Sequence, residues 1–172
     1  SIVVKNNTVI SSGVTSINGR PHAEFNALNK VKNTSGSTLY TSLEPCIHQG
    51  KTPPCTDIII KKKIKNVFYG FADPDLRVFK KAKKILDLKG IKKKLIKSNK
   101  FESFYKSYQI NKKFKIPFIS SKIAISKDYF TINKNEKWIT NIYSRNITHL
   151  IRSKHDGIIS TSKSINYDNA LL

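Results

Sequence analysis

The positions of histidine and cysteine are the strongest constraint on the fold of this chain. Its only two cysteines, Cys46 and Cys55, lie in the segment SLEPCIHQGKTPPC, and the earlier segment PHAEF contains His22 and Glu24. One imidazole and two potential thiolates are three good zinc ligands, and a carboxylate is close to them in sequence. Used together, these residues require two separate segments to meet at one point of the fold.

A disulfide between Cys46 and Cys55 is the structural alternative, and their spacing permits it. No signal peptide, with a charged start and an apolar middle, opens the chain. Two cysteines without secretory features favour a reducing cytoplasm, where such a pair binds metal more often than it forms a bridge. We therefore predict a zinc site and a cytoplasmic location.

The number of ligands favours a catalytic zinc over a structural one. Catalytic zinc usually has three protein ligands and an open fourth position, whereas a structural site closes with four. His22, Cys46 and Cys55 supply three, which leaves Glu24 to take a proton from an activated water and deliver it to a substrate nitrogen. His-x-Glu with a downstream Pro-Cys pair is the signature of zinc-dependent base deaminases.

The hydrophobic pattern alternates strands with helices. It predicts a hairpin over 1–13, followed by further strands over 38–43, 66–74, 91–96, 117–126, 129–132 and 156–161. It predicts helices over 22–32, 56–64, 77–90, 102–114 and 140–154, the fourth serving as a bridge to a second unit. Such alternation indicates α/β layers with a parallel or mixed sheet.

The charge of the chain allows two interpretations. With 32 Lys and Arg against 11 Asp and Glu, the net charge is +21, which raises nucleic acid or an anionic substrate as a partner. The basic residues are mostly Lys and are spread along the chain, which favours solvated surface instead. No stretch approaches the ~18 apolar residues of a membrane span.

The eight residues between the cysteines point to one family of deaminases. EPCIHQGKTPPC closely resembles the Glu-Pro-Cys-x-His-x-Gly-(Lys/Arg)-Thr-Pro-Pro-Cys motif of the bifunctional riboflavin-biosynthesis deaminase/reductase family, and GRPHAE resembles the first half of its site. ADPDLRV, IPFISSKIAISKD and KWIT are similar to later family segments. The resemblance implies a cytidine-deaminase-like three-layer domain over 1–113 and the start of a dihydrofolate-reductase-like α/β domain over 114–172.

The resemblance also implies roles for individual residues. In the deaminase half, His22, Cys46 and Cys55 are the zinc ligands, Glu24 is the proton shuttle and Lys51 contacts the substrate phosphate. In the reductase half, the NADPH-contacting positions are Ala124, Trp138, Ser164 and Asp168. The substrate positions of that half are Glu136, Arg152 and Leu172.

The resemblance implies riboflavin biosynthesis. The first reaction is hydrolytic deamination of 2,5-diamino-6-ribosylamino-pyrimidinone 5′-phosphate, and in the complete protein NADPH then reduces the ribosyl group. The expected partner is a small phosphorylated pyrimidine nucleotide, with no nucleic acid, no membrane and possible homo-oligomers. The absence of Met and the ending NYDNALL suggest an excerpt from a longer protein.

Two other functions stay open at this point. A nucleic-acid-editing deaminase of the tRNA adenosine type would use the same fold, and the charge of +21 suits it. The eight-residue cysteine spacing and the reductase-like second half argue against that alternative. A non-catalytic zinc-stabilised binding module is the third candidate, but a structural site has no use for Glu24 as a shuttle.

Overall fold

The computed structural model describes residues 1–50, 52–75, 77–78, 81–131 and 138–168, and of Tyr167 and Asp168 only the backbone. The chain divides into two compact units, Ser1–Phe118 (unit 1) and Ile119–Leu172 (unit 2). The domain bounds expected from the sequence, 1–113 and 114–172, stay predictions. Among the described residues, no helix has the length and apolar character needed to cross a membrane.

Unit 1 is built around a five-stranded mixed sheet. Its strands are β1 (Ile2–Lys5), β2 (Thr8–Ser12), β3 (Thr38–Leu43), β4 (Asn66–Phe71) and β5 (Lys92–Leu95). Their order across the sheet is β2-β1-β3-β4-β5. β1 is antiparallel to both of its neighbours, whereas β3, β4 and β5 run parallel. The predicted mixed α/β sheet is therefore confirmed in this unit.

The hairpin at the start of the chain forms as its sequence predicts. Asn6 and Asn7 connect β1 to β2, and both have positive φ, at 50° and 57°. Asparagine tolerates this left-handed conformation, which two-residue hairpin turns of type I′ need at both central positions.

Among the described residues, four α-helices complete unit 1: α1 (Ala23–Asn29), α2 (Cys55–Lys61), α3 (Lys81–Leu88) and α4 (Asn99–Phe114). The first three bury apolar side chains against the sheet. The largest fully buried members of this core are Leu28, Leu39, Ile59, Leu86, Val3 and Val67. The predicted helices 22–32, 56–64, 77–90 and 102–114 each contain or overlap one of these elements.

Helix α4 packs on the sheet, which its predicted role as a bridge did not anticipate. The ring of Phe101 covers Gly70 of β4, where an added Cβ would come within 2.4 Å of that ring. Tyr105 stacks on Phe71 at the end of β4, with ring centroids 5.0 Å apart. The helix is thus an integral part of unit 1.

Unit 2 contains helices α5 (Ile142–Arg152) and α6 (Ser162–Asp168). The helix predicted over 140–154 is confirmed. The strands predicted over 117–126 and 156–161, and over the described part of 129–132, are wrong, because none of those described residues lies in a strand. Alternating apolar residues do not make a strand without a partner for their backbone N–H and C=O groups.

Candidate metal centre

Helix α1 positions His22 and Glu24. His22 is the residue before the helix and has extended backbone, with φ −70° and ψ 162°. Glu24 lies in the first turn, and only 6% of the residue is exposed. Close packing fixes the helix: a Cβ on Gly13, just after β2, would lie 2.5 Å from backbone atoms of both Ala23 and Ala27. The position of α1 therefore depends on the absence of a side chain at Gly13.

The two cysteines come together where β3 ends and α2 begins. Cys46 follows β3 in the chain, and Cys55 is the first residue of α2. The Cys55 N–H donates to the Cys46 Sγ at 3.3 Å, and the Thr56 N–H donates to the Cys46 carbonyl at 3.2 Å. Both thiols are buried and free, so the alternative of a disulfide is wrong.

The geometry of His22, Cys46 and Cys55 fits zinc. Their ligand atoms all lie within 4.8 Å of one another. The His22 Nδ1 is 3.3 Å from the Cys55 Sγ and 3.5 Å from the Cys46 Sγ. Zinc–sulfur and zinc–nitrogen bonds of ~2.3 and ~2.0 Å in a tetrahedron would separate these atoms by about 3.5 Å. The donor set and its spacing therefore suit a tetrahedral zinc with three protein ligands.

The thiol pair readily supplies a thiolate. Hydrogen bonds from the Cys55 thiol, and further ones from His22 and the Cys55 N–H, lower the pKa of Cys46 to about 3 against the opposing effect of burial. The hydrogen bond to Cys46 and then burial raise the pKa of Cys55. Because thiolates and not thiols bind metal, this lowered pKa favours Cys46 as a metal ligand.

Glu24 is a buried carboxyl group beside this cluster. Burial raises its pKa, while its own backbone N–H and the nearby His22 act in the opposite direction. A carboxyl group with a raised pKa can both accept and release a proton near neutral pH. Glu24 therefore has the environment expected of a general acid and base.

A cavity of about 260 Å³ opens beside the cluster, within unit 1. Its lining includes His22 and Cys46 together with the cationic Arg20 and the imidazole of His48. The Arg20 guanidinium donates to the Thr52 hydroxyl at 2.9 Å, which links the segment before His22 to the loop between the cysteines. Lys51, the predicted phosphate contact, lies outside the described residues.

The rest of the lining was missed by sequence reasoning. It comprises Leu43, Asp73, Asp75, Arg77, Tyr105, Tyr108 and Lys112. Leu43 is the last residue of β3, the next three residues follow the end of β4, and the last three are on α4. One signal was in the sequence: where parallel strands end, ligand-contacting residues tend to cluster, and ADPD directly follows β4. The α4 residues had no such signal.

The positions predicted in unit 2 remain predictions. The Arg145 guanidinium stacks on the Trp138 ring, with its Cζ 4.6 Å from the ring centroid. Ser164 is on α6 and its hydroxyl accepts a hydrogen bond from Thr161, while Arg152 is the last residue of α5. Ala124 precedes α5 in a segment without regular structure, and Asp168 ends α6. Glu136 and Leu172 lie outside the described residues.

Comparison with known proteins identifies the fold of unit 1. Residues 1–71 match the family model described as the cytidine and deoxycytidylate deaminase zinc-binding region. This range contains His22, Glu24, Cys46 and Cys55. Unit 1 accordingly has the cytidine-deaminase-like fold, as the sequence predicted, and its first 71 residues are similar to the zinc-binding region of these deaminases.

Relatives align with nearly the whole chain. The riboflavin biosynthesis protein RibD of Buchnera aphidicola is 38% identical and that of Chlamydia trachomatis 33% identical, each alignment covering 99% of this chain and 47% of the relative. A crystal structure of a diaminohydroxyphosphoribosylaminopyrimidine deaminase/5-amino-6-(5-phosphoribosylamino)uracil reductase from Thermotoga maritima superposes with a TM-score of 0.89 at 30% identity. That superposition covers 98% of this chain and 50% of the other. The chain thus spans about half the length of the relatives it matches.

Proposed function

Since the chain is a RibD homologue along almost its whole length, we propose that it catalyses the deamination step of riboflavin biosynthesis. The substrate is 2,5-diamino-6-ribosylamino-pyrimidinone 5′-phosphate, and the reaction exchanges a ring amino group and water for a carbonyl and ammonia. One observation carries the proposal: the three ligand atoms of His22, Cys46 and Cys55 lie within 4.8 Å, with the buried Glu24 beside them.

His22, Cys46 and Cys55 would hold the zinc, which when bound supplies a nucleophilic water at neutral pH. Glu24 then performs the proton transfers. Its carboxylate takes a proton from the attacking water and passes it to the amino nitrogen, which leaves as ammonia. Burial of Glu24 keeps competing solvent away from this transfer.

The guanidinium of Arg20 and the imidazole of His48 line the cavity and support an anionic, phosphorylated substrate. We assign Lys51, which follows His48 between the two cysteines in the sequence, to the substrate phosphate. Charged N–H donors form the strong, short hydrogen bonds that phosphate oxygens favour. A small pyrimidine nucleotide is thus the proposed partner, in preference to a nucleic acid.

A second, reductase activity is part of the proposal. In it, NADPH would reduce the ribosyl group, with Ala124, Trp138, Ser164 and Asp168 at cofactor positions and Glu136, Arg152 and Leu172 at substrate positions. The similarity of the whole chain to the Thermotoga maritima deaminase/reductase supports this assignment. A cytoplasmic location is consistent with the two free thiols, and homo-oligomers remain a prediction.

Ammonia release tests the proposed function. The purified full-length protein is assayed with the diaminopyrimidinone ribonucleotide phosphate and, in parallel, with a tRNA anticodon stem. We expect zinc-dependent ammonia release from the nucleotide alone. Release only from the RNA would establish the editing deaminase instead, and release from neither would leave the zinc-stabilised binding module.

A further inference from the structure

The loop that leads from β2 to His22 brings a positive charge to the cavity. We call these residues, 14–21, the entry loop. Arg20, near the end of the loop, lines the cavity together with His22 and Cys46. The position of its guanidinium relative to the metal centre therefore depends on how the entry loop is held.

The side-chain amide of Asn26, on helix α1, holds the entry loop. Its Nδ2 donates to the Val14 carbonyl at 2.8 Å and to the Ser16 hydroxyl at 2.9 Å. The Ser16 N–H in turn donates to the Pro21 carbonyl at 3.0 Å, which closes the loop. Because a carbonyl oxygen only accepts hydrogen bonds, these contacts require the N–H donors of an amide side chain. Asn26 thus ties the entry loop to the helix that follows it.

The guanidinium of Arg20 is fixed on its other side by the loop between the two cysteines. Its Nη1 donates to the Thr52 hydroxyl at 2.9 Å. Its Nη2 lies against Gly50, where an added Cβ would come within 3.1 Å of that nitrogen. A guanidinium has five N–H donors in a planar fork, and the Thr52 hydroxyl uses one of them. Donors therefore remain for a ligand in the cavity.

Arg20 differs from Arg77 and Lys112, the other Arg and Lys side chains that line the cavity. Arg77 donates to both oxygens of Asp75, at 2.9 and 2.6 Å, and Lys112 lies 3.3 Å from the same carboxylate. Within the described part of the chain, no carboxylate forms an ion pair with Arg20. Arg77 and Lys112 are thus engaged by a carboxylate of the protein, whereas the charge of Arg20 is available to an anion.

We propose that Arg20 is a specificity-determining residue that binds the phosphate of a nucleotide in the cavity, and that Asn26 is the positioning residue that holds its loop. The choice of a phosphorylated pyrimidine nucleotide rests on the proposed function. A guanidinium fork can donate to two phosphate oxygens at once, so it favours a nucleoside 5′-monophosphate over the uncharged nucleoside. Because Arg20 precedes His22 by two residues, one short segment fixes both the anchor of the nucleotide and a metal ligand.

Equilibrium binding tests the role of Arg20. Calorimetry on the full-length protein measures Kd for cytidine 5′-monophosphate and for cytidine, which differ only in the phosphate. Arg20→Gln should weaken binding of the monophosphate by about 10-fold to 100-fold, since a hydrogen bond between charged groups is lost. The Kd for cytidine should stay at the wild-type value. Arg20→Lys should keep part of the preference for the monophosphate, because an ammonium group keeps the charge but lacks the planar fork.

The matched control is Arg145→Gln on α5 of unit 2, which removes the same charge from the chain and should keep both Kd values. Melting temperatures of the same preparations show that the variants are folded. Equal affinity of the wild type for cytidine and its monophosphate, including no binding of either, would overturn the proposal. So would a parallel weakening of both ligands in Arg20→Gln, because that result indicates a general disturbance of the cavity.

A double-mutant cycle tests the role of Asn26. Asn26→Ala should weaken binding of cytidine 5′-monophosphate by about 5-fold, because two hydrogen bonds to the entry loop are lost. Asn29→Ala, at an exposed position of the same helix, is the control and should keep the wild-type Kd. If Asn26 acts through Arg20, adding Asn26→Ala to Arg20→Gln should weaken binding no further. Additive effects of the two substitutions would reject Asn26 as the positioning residue.

These binding experiments also separate this proposal from the proposed function, because they do not require turnover. If the full-length protein releases no ammonia but shows the expected Kd differences, the proposed function fails and the role of Arg20 stands. If ammonia is released but Arg20→Gln binds the monophosphate as tightly as the wild type does, the role of Arg20 is rejected and the proposed function stands.

Discussion

The two units of this chain treat their apolar residues in different ways. In unit 1, side chains from β1, β3, β4 and three helices form a buried core, with Leu28, Leu39 and Ile59 fully enclosed. In unit 2, apolar side chains of comparable size are exposed, and Ile159 is 98% accessible. The same kinds of residues therefore form a core in one unit and remain uncovered in the other.

The two units therefore differ in how firmly their packing fixes the residues assigned a function. The metal centre of unit 1 is made of segments that the sheet and its helices hold in place, so its geometry can be compared directly with the needs of zinc. The described positions assigned in unit 2 lie on its two helices and in the segment before the first of them. Their roles follow from resemblance alone and not from a closed site.

The largest effect should come from Glu24→Gln in unit 1. This change removes the group that transfers protons but keeps the shape of the side chain, and it should lower kcat by about 10²- to 10⁴-fold or more. Zinc content should stay at the wild-type level, because Glu24 is not proposed as a ligand. Metal analysis and ammonia release from the same preparation check both statements. Near-native turnover would show that another residue moves the proton.

A pair of glycine substitutions compares the packing of the two units. Gly13→Ala places a Cβ 2.5 Å from backbone atoms of α1, and this overpacking should destabilise the protein by about 1–3 kcal/mol. Gly157→Ala is the matched control in unit 2, where an added Cβ meets nothing within 4 Å. Denaturant unfolding measures both. Equal stabilities of the two variants would contradict the tight contact between Gly13 and the helix that carries Glu24.

The smallest effect is expected when NADPH is added to the protein in a binding experiment. In unit 2, no described residue lies in a strand, and apolar side chains such as Ile123 and Phe130 are exposed, so the described residues do not form an enclosed pocket for a dinucleotide. A protein of residues 1–172 should show no saturable binding of NADPH at micromolar concentrations in a fluorescence titration. Micromolar binding would mean that this unit already holds a complete cofactor site.

The sequence was sufficient to predict most of unit 1. Its hairpin turn, its alternating helices and strands and the residues of its metal cluster follow from local patterns that the fold preserves. The spacing of His22, Cys46 and Cys55 was informative because metal ligands restrict both residue type and position.

The remaining features depend on long-range packing, which local patterns do not record. Tyr105 and Tyr108 resemble ordinary residues of an amphipathic helix, and only the packing of α4 on β4 brings them to the cavity. The predicted strands of unit 2 failed for a related reason. A strand forms only when another strand pairs with it, and the apolar run DGIIST contains no information about such a partner.

The zinc content of the purified protein tests the central claim most directly. The wild type should contain one zinc per chain, and Cys55→Ser should lose most of it, because a serine hydroxyl is a much poorer ligand than a thiolate. His149→Asn, which removes an imidazole from α5 in unit 2, should keep the full amount. Full stoichiometric zinc in Cys55→Ser, or a wild type that binds none, would contradict the assignment of His22, Cys46 and Cys55 as the metal centre.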